Sequence, residues 1–190
     1  MQQREYDDYE QYIKHQKEKT SNMKLRQKLE ARFDADIIRF KKHFDVLSKY
    51  APACIKILCL GARTGAEVVA ARQDGFDALG VDLVPRMPLV CQGDFHNLPV
   101  EDDSYDCIYC NCVDHVLDFP KFADEIMRVL RPNGWMLISL TMHTMGKYEA
   151  TKIDSVDEFL AFFPSLEVLY QQSNNKDGSS ERIVLVVRIS

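Results

Sequence analysis

A chain of 190 residues with 46% hydrophobic and 28% charged side chains can bury one core of ordinary domain size, which excludes disorder throughout and leaves little room for two full domains. No apolar run reaches the roughly 18 residues of a membrane helix, and the opening MQQREYDDYEQYIKHQ lacks a signal-peptide core, so a soluble, cytoplasmic protein without a membrane partner is expected. The net charge of −5 is uneven: residues 14–49 hold eleven Lys and Arg against five Asp and Glu, whereas 50–190 hold twelve against twenty.

Residues 5–50 contain no Gly or Pro, and apolar residues recur there at spacings of mostly three or four, as at Met23, Leu29, Phe33, Ile37, Phe40, Phe44 and Leu47. One or two amphipathic helices are expected. After Pro52 the run CIKILCL opens an alternation of short β-rich and helical stretches. Strands are expected at 55–60, 78–81, 89–92, 107–111 and 135–140, with helices at 66–74 and 121–130. Arg131-Pro132-Asn133-Gly134 should end the second helix and release the chain into its strand. A short helix at 156–162 and strands at 166–171 and 182–189 follow. The turn-rich linker SNNKDGSS between those strands predicts an antiparallel hairpin.

This order predicts a doubly wound α/β sheet, Rossmann-like and seven-stranded, with a terminal antiparallel hairpin and an N-terminal helical arm. In such a fold ligands bind beyond the carboxyl ends of the strands, where strand order reverses. The first strand runs into Gly61-Ala62-Arg63-Thr64-Gly65, a loop that lets backbone approach a ligand and aims free N–H groups at it from a helix start. Asp82, about twenty residues on, can accept hydrogen bonds from both ribose hydroxyls. Glycine loop plus acid describes adenosine cofactors generally, and both NAD and S-adenosylmethionine fit it.

The pieces LGARTG, GVDL, GDFHNLP, DDSYDCIYCNCVDHV and EIMRVLRPNGW occur in order between residues 55 and 140. Together they resemble a class I S-adenosylmethionine-dependent methyltransferase, of the type 11-like subgroup that acts on small molecules. The resemblance implies an S-adenosylmethionine-binding domain over 51–190 behind an arm or cap of 1–50, with S-adenosylhomocysteine as product. It implies that Gly61, Ala62, Arg63, Thr64 and Gly65 wrap the methionine end of the cofactor and that Asp82, followed by Leu83, holds the ribose. Asp94, after Gly93, would accept from the adenine amino group, Phe95 would wall the ring, and Asn111 would lie beside the sulfonium. The chain departs from the family at Cys59, where an acid is usual, and at Arg63, where a glycine is usual; Glu67 is placed to replace the acid, and Arg63 to pair with the cofactor carboxylate.

Asp82 and Gln92 are only ten positions apart, with Pro85 and Pro88 between them, so the usual helix between the second and third strands cannot fit. With GDFHNLP and the later Asp-His pair, this short connection resembles a subgroup associated with sugar and cell-surface glycan modification. His115 is the natural base for a hydroxyl acceptor, with Asp114 orienting it or acting itself; His143 is a second candidate. Cys107, Cys110 and Cys112 have a zinc-like spacing, but strand alternation would put Cys107 and Cys110 on opposite faces, and no metal is expected. All six cysteines should be reduced thiols.

Tyr6, Tyr9 and Tyr12 could stack on a substrate or pack onto the body, and the arm is expected to act as a lid that selects the acceptor. The acidic body argues against nucleic acid. The absence of NPPY or DPPY after the fourth strand argues against methylation of a base amino group. The expectation is O-methylation of a small-molecule or glycan hydroxyl, with an inactive scaffold of the same fold or an RNA methyltransferase as alternatives. Oligomeric state is open.

Overall fold

The computed structural model describes residues 1–86, 88–163, 165–174 and 182–189. A two-residue strand β1 (Gln2–Gln3) leads into α1 (Tyr9–Ser21), α2 (Met23–Ala31) and α3 (Phe33–Tyr50). The arm therefore holds three helices rather than one or two. Asn22 makes the first break, because its backbone N–H closes α1 on Glu18 while its side chain caps α2 by accepting from Leu25 N–H. The two further helices differ in burial: α2 buries none of its residues, whereas α3 buries Phe40, Phe44 and Leu47.

The sheet follows with β2 (Lys56–Leu60), α4 (Ala66–Gln73), β3 (Asp77–Asp82), β4 (Val90–Gln92), β5 (Tyr105–Cys110), a 3-10 turn (Val113–His115), α5 (Phe119–Val129) and β6 (Leu130–Thr141). The chain closes with β7 (Thr151–Lys152), α6 (Val156–Leu160), β8 (Leu166–Asn174) and β9 (Arg182–Ile189). The seven-stranded sheet has the order β4-β3-β2-β5-β6-β9-β8, with β4 to β6 parallel and β9 antiparallel to both neighbours. That is the expected doubly wound sheet with its terminal hairpin, although residues 175–180 of the turn-rich linker lie outside the described residues.

Among the described residues no helix lies between β3 and β4, as the short proline-containing connection requires. The 131–134 segment ends α5 as expected, but Leu130 already pairs with Tyr105, and the RPNG residues form an irregularity inside β6 rather than a loop before it. Asn133 takes a φ of 62° there. β1 pairs with β7 in a separate two-stranded ribbon that no sequence period announces.

The sheet separates two cores. One, with α5 and α6, holds Leu58, Leu60, Ile108, Cys110, Phe122, Ile126 and Phe159. The other, with α3 and α4, holds Phe40, Phe44, Leu47, Ile57, Cys59, Val68, Cys107 and Tyr109. Cys107 and Cys110 thus face opposite layers, as strand alternation predicts, and no disulfide links the six cysteines. No helix among the described residues is long and apolar enough to cross a membrane.

Candidate cofactor and acceptor site

Strand order reverses between β2 and β5: the chain leaves β2 toward β3 on one side and returns to β5 on the other. Their carboxyl ends therefore splay apart and leave a crevice. Gly61 opens it with a φ of 67°, its N–H bonded to Val81 O at 2.8 Å. A Cβ at Gly61 would lie 2.2 Å from Cys112 Sγ, so only glycine permits β2's exit to pass β5's exit. Gly65, with a φ of 79°, caps α4 and directs its N-terminus at the crevice.

Arg63 occupies the left-handed half of the backbone map, with a φ of 27°, at the position where a glycine is usual. Asp82 at the end of β3 supports that backbone, its Oδ2 accepting from Arg63 N–H at 3.0 Å and its Oδ1 from Val84 N–H at 2.8 Å. Burial raises the Asp82 carboxyl above the usual range, against the lowering effect of the Arg63 charge. Gly61, Ala62, Arg63, Thr64 and Asn111 form the floor of a cavity of about 340 Å³. Asp114, His115, Thr141, Thr144 and Glu149 wall it, and Lys19, Leu29, Arg32, Asp36, Arg39 and Phe40 roof it. Glu67 also lines it, and burial pushes its carboxyl up to about 8. Cys59 beneath is fully buried, and burial raises its thiol too.

On the Asp82 side the crevice narrows to about 40 Å³ between Asp82, Leu83 and Phe95 below and Tyr12 and Gln16 of α1 above. Of the three arm tyrosines, Tyr9 and Tyr12 pack onto the body, while Tyr6 packs within the arm against Tyr12 and His15. Tyr12 is fully buried and donates to His115 O at 2.9 Å, and Tyr9 donates to Asp94 Oδ2 at 2.5 Å. Asp94 also accepts from His96 N–H. Burial would raise the Asp94 carboxyl, but the hydrogen bonds from His96 and Tyr9 hold it below its ordinary value. The residue expected to meet adenine is thus engaged by the arm, while Phe95 does line the crevice. Gly93 has a packing role: a Cβ there would lie 2.7 Å from Pro99 and 2.8 Å from Val81.

His115 is 8% exposed and uses both ring nitrogens. Nδ1 lies 2.9 Å from both Gln16 Oε1 and Tyr148 O, which are acceptors, so Nδ1 carries the proton; Nε2 accepts from Lys19 Nζ at 2.8 Å. Burial, then the Lys19 and Arg63 charges, hold its pKa well below the ordinary histidine value. The ring is neutral, and both of its nitrogens are engaged. His143, the second candidate, stands outside the cavity with its Nδ1 3.5 Å from Asp154, because the chain presents Thr141 and Thr144 instead.

Lys19, Arg32, Asp36, Arg39, Thr141, Thr144 and Glu149 are cavity residues that sequence reasoning missed. The net basic charge of 14–49 was visible, but which of its cations turn inward is decided by how the helices seat on the sheet. Asp114, His115 and Glu149 offer ligand atoms within 4.8 Å of one another, a grouping hidden by the 33 residues between His115 and Glu149.

The Methyltransferase domain family matches residues 58–138, from β2 into β6. An uncharacterised methyltransferase of Mycobacterium tuberculosis is 30% identical over 92 residues, 43% of this chain and 38% of that protein. Norajmaline N-methyltransferase of Rauvolfia serpentina is 28% identical over 130 residues, 60% of this chain and 44% of that one. The chain spans less than half the length of these curated relatives. Among solved structures, 1,6-didemethyltoxoflavin-N1-methyltransferase of Burkholderia thailandensis, with 1,6-didemethyltoxoflavin and S-adenosylhomocysteine bound, matches with a TM-score of 0.77 over 98% of this chain and 92% of that one. At 14% identity that is a likeness of fold. The glycine loop, the acid closing β3, the sheet order and the matched domain agree: residues 58–138 match the Methyltransferase domain family, and the chain has the fold of S-adenosylmethionine-dependent methyltransferases.

Proposed function

We propose that this protein transfers the methyl group of S-adenosylmethionine to a hydroxyl of a small polar molecule, a sugar or other polyhydroxylated metabolite, and releases S-adenosylhomocysteine. The observation that carries this reading is the 340 Å³ cavity that joins the glycine loop to Asn111, Asp114 and His115 at the end of β5. Its volume suits a small molecule, and its lining of charged and hydroxyl side chains suits an acceptor with many polar groups.

Gly61 to Gly65 would wrap the methionine moiety, with Arg63 on its carboxylate and Glu67 under its amino group. Asp82 and Leu83 would take the ribose, and Asn111 would flank the sulfonium. Adenosine needs more room than 40 Å³ between Tyr12 and Phe95, so α1 moves outward when the cofactor enters and closes again over it. Transfer is an in-line displacement: the acceptor oxygen forms the new C–O bond as the S–C bond breaks, and its proton passes to the Asp114 carboxylate. His115, with both nitrogens engaged, acts as a positioning residue that fixes α1 through Lys19 and Gln16. The helices of residues 1–50 serve as the acceptor-selecting cap of the domain that starts at 51.

The test is incubation with S-adenosylmethionine and paired acceptors, sugars or polyols against their amino-sugar counterparts, with S-adenosylhomocysteine as the readout. Product with the hydroxyl series, and loss of about 100-fold in kcat for Asp114→Asn, is expected. Product with the amino series alone would assign an N-methyltransferase and overturn the hydroxyl reading.

A further inference from the structure

We propose that Asp114, His115 and Glu149 form a divalent-cation site at the acceptor end of the cavity, which the Lys19 ammonium fills in the present arrangement. The three residues come from two segments that the fold clamps together. Asp114 and His115 sit on the 3-10 turn after β5, and Glu149 lies in the loop after β6. Ala150 N–H donates to Asp114 O at 2.9 Å, and Thr151 Oγ1 donates to Val116 O at 2.7 Å. One ligand atom from each residue falls within 4.8 Å of the other two.

The histidine is prepared as a ligand. Its Nδ1–H is held by the Tyr148 carbonyl and the Gln16 amide oxygen, which fixes the ring and leaves the Nε2 lone pair directed at the cluster. Glu149 Oε2 is buried with no hydrogen-bond partner among the described residues. A side-chain amine already marks the position: Lys19 Nζ is 2.8 Å from Nε2, and although burial and then the Arg63 charge lower its pKa, the Asp114 and Glu149 charges act to hold its proton. Because Lys19 is carried by α1, the outward movement of that helix that admits the cofactor also withdraws the ammonium and exposes the ligands.

One imidazole and two carboxylates suit a first-row divalent ion such as Mn²⁺ or Zn²⁺. Bonds of about 2.1 Å bring neighbouring ligand atoms to about 3 to 3.5 Å, a contraction that side-chain rotation supplies. The remaining coordination positions face the cavity, where they would hold the acceptor oxygen, and a single oxygen of Asp114 on the ion leaves the other for the proton. The role toward the acceptor rests on the proposed methyl transfer; the binding of the ion does not.

The test uses the full chain with Mn²⁺ alone, free ion being followed by its paramagnetic resonance signal and folding by circular dichroism. Lys19→Met is expected to bind Mn²⁺ at least about tenfold more tightly than wild type, and adding Glu149→Gln or His115→Ala to lose that gain. A second measurement reads the ligands spectroscopically: Co²⁺ added to Lys19→Met should give the visible absorption of a protein-ligated ion, which adding Glu149→Gln removes. Equal Mn²⁺ affinity in Lys19→Met and wild type, or a Co²⁺ spectrum that stays that of the aqueous ion, would overturn the site. A protein that methylates hydroxyl acceptors yet binds neither ion would lose this inference and keep its methyl transfer.

Discussion

The floor and the roof of the cavity are built on different principles. The floor consists of strand exits, where backbone hydrogen bonds and one glycine at Gly61 fix each atom before any ligand arrives. The roof consists of side chains from α1, α2, α3 and the Arg32 between the last two, and α1 is tied to the body by hydrogen bonds from Tyr9 to Asp94 and from Lys19 to His115. A preformed floor can supply affinity for a shared cofactor, while a movable roof can supply choice of acceptor and exclusion of water. Mutations on the two sides should therefore differ in kind.

The largest effect belongs to the floor. Gly61→Ala forces a methyl into Cys112 Sγ in a left-handed backbone, and cofactor affinity should fall by at least about 100-fold, about 3 kcal/mol, in a calorimetric titration. Adding Cys112→Ala should return part of it. Full affinity in the single variant would show that the two exits are not tightly packed.

Glu67, beneath the floor, comes next. Its folded pKa of about 8 lies above the unfolded value of 4.5, so the unfolded chain sheds the proton first as pH rises. Stability should therefore fall between about pH 4.5 and 8 and level off above. Glu67→Gln should gain up to about 3 kcal/mol at pH 7 and nothing near pH 4, while binding the cofactor more weakly. Denaturant unfolding at both pH values checks the first half, and a stability difference independent of pH would contradict it.

The roof predicts the opposite sign. Tyr9→Phe removes the hydroxyl that engages Asp94, so cofactor affinity should rise by about fivefold, the worth of one hydrogen bond. A weaker complex would show that Tyr9 belongs to the bound state instead. Smallest is Arg26→Ala, which breaks an exposed i,i+4 pair with Glu30 on α2, and should change stability by less than about 0.5 kcal/mol and cofactor binding not at all.

The same division explains what could be read from the sequence. Gly61, Gly65, Asp82 and Asn111 were legible because a strand, its exit loop and the acid closing the next strand are short-range patterns that one topology brings together. The doubly wound sheet with its terminal hairpin and, among the described residues, the absence of a helix between β3 and β4 followed from the same patterns. Lys19, Arg39 and Glu149 were not legible, since a cation on a solvated helix face and one on a cavity roof share the same helical spacing. His115 was located but its role was not: only the structure shows Lys19 and Tyr148 on its two nitrogens. The arm's breaks at Asn22 and Arg32 escaped because residues 5–50 contain no Gly or Pro to announce them.

The central claim is a preformed cofactor floor with a neutral Glu67 under the methionine amino group. Calorimetric titration of the full chain with S-adenosylhomocysteine at pH 7, in two buffers of different ionisation enthalpy, tests it most directly. The account predicts one site per chain with a Kd below about 0.1 mM and release of protons into the buffer as Glu67 ionises against the bound ammonium group. Absence of binding at millimolar ligand would contradict the floor, and binding without proton release would contradict the place given to Glu67.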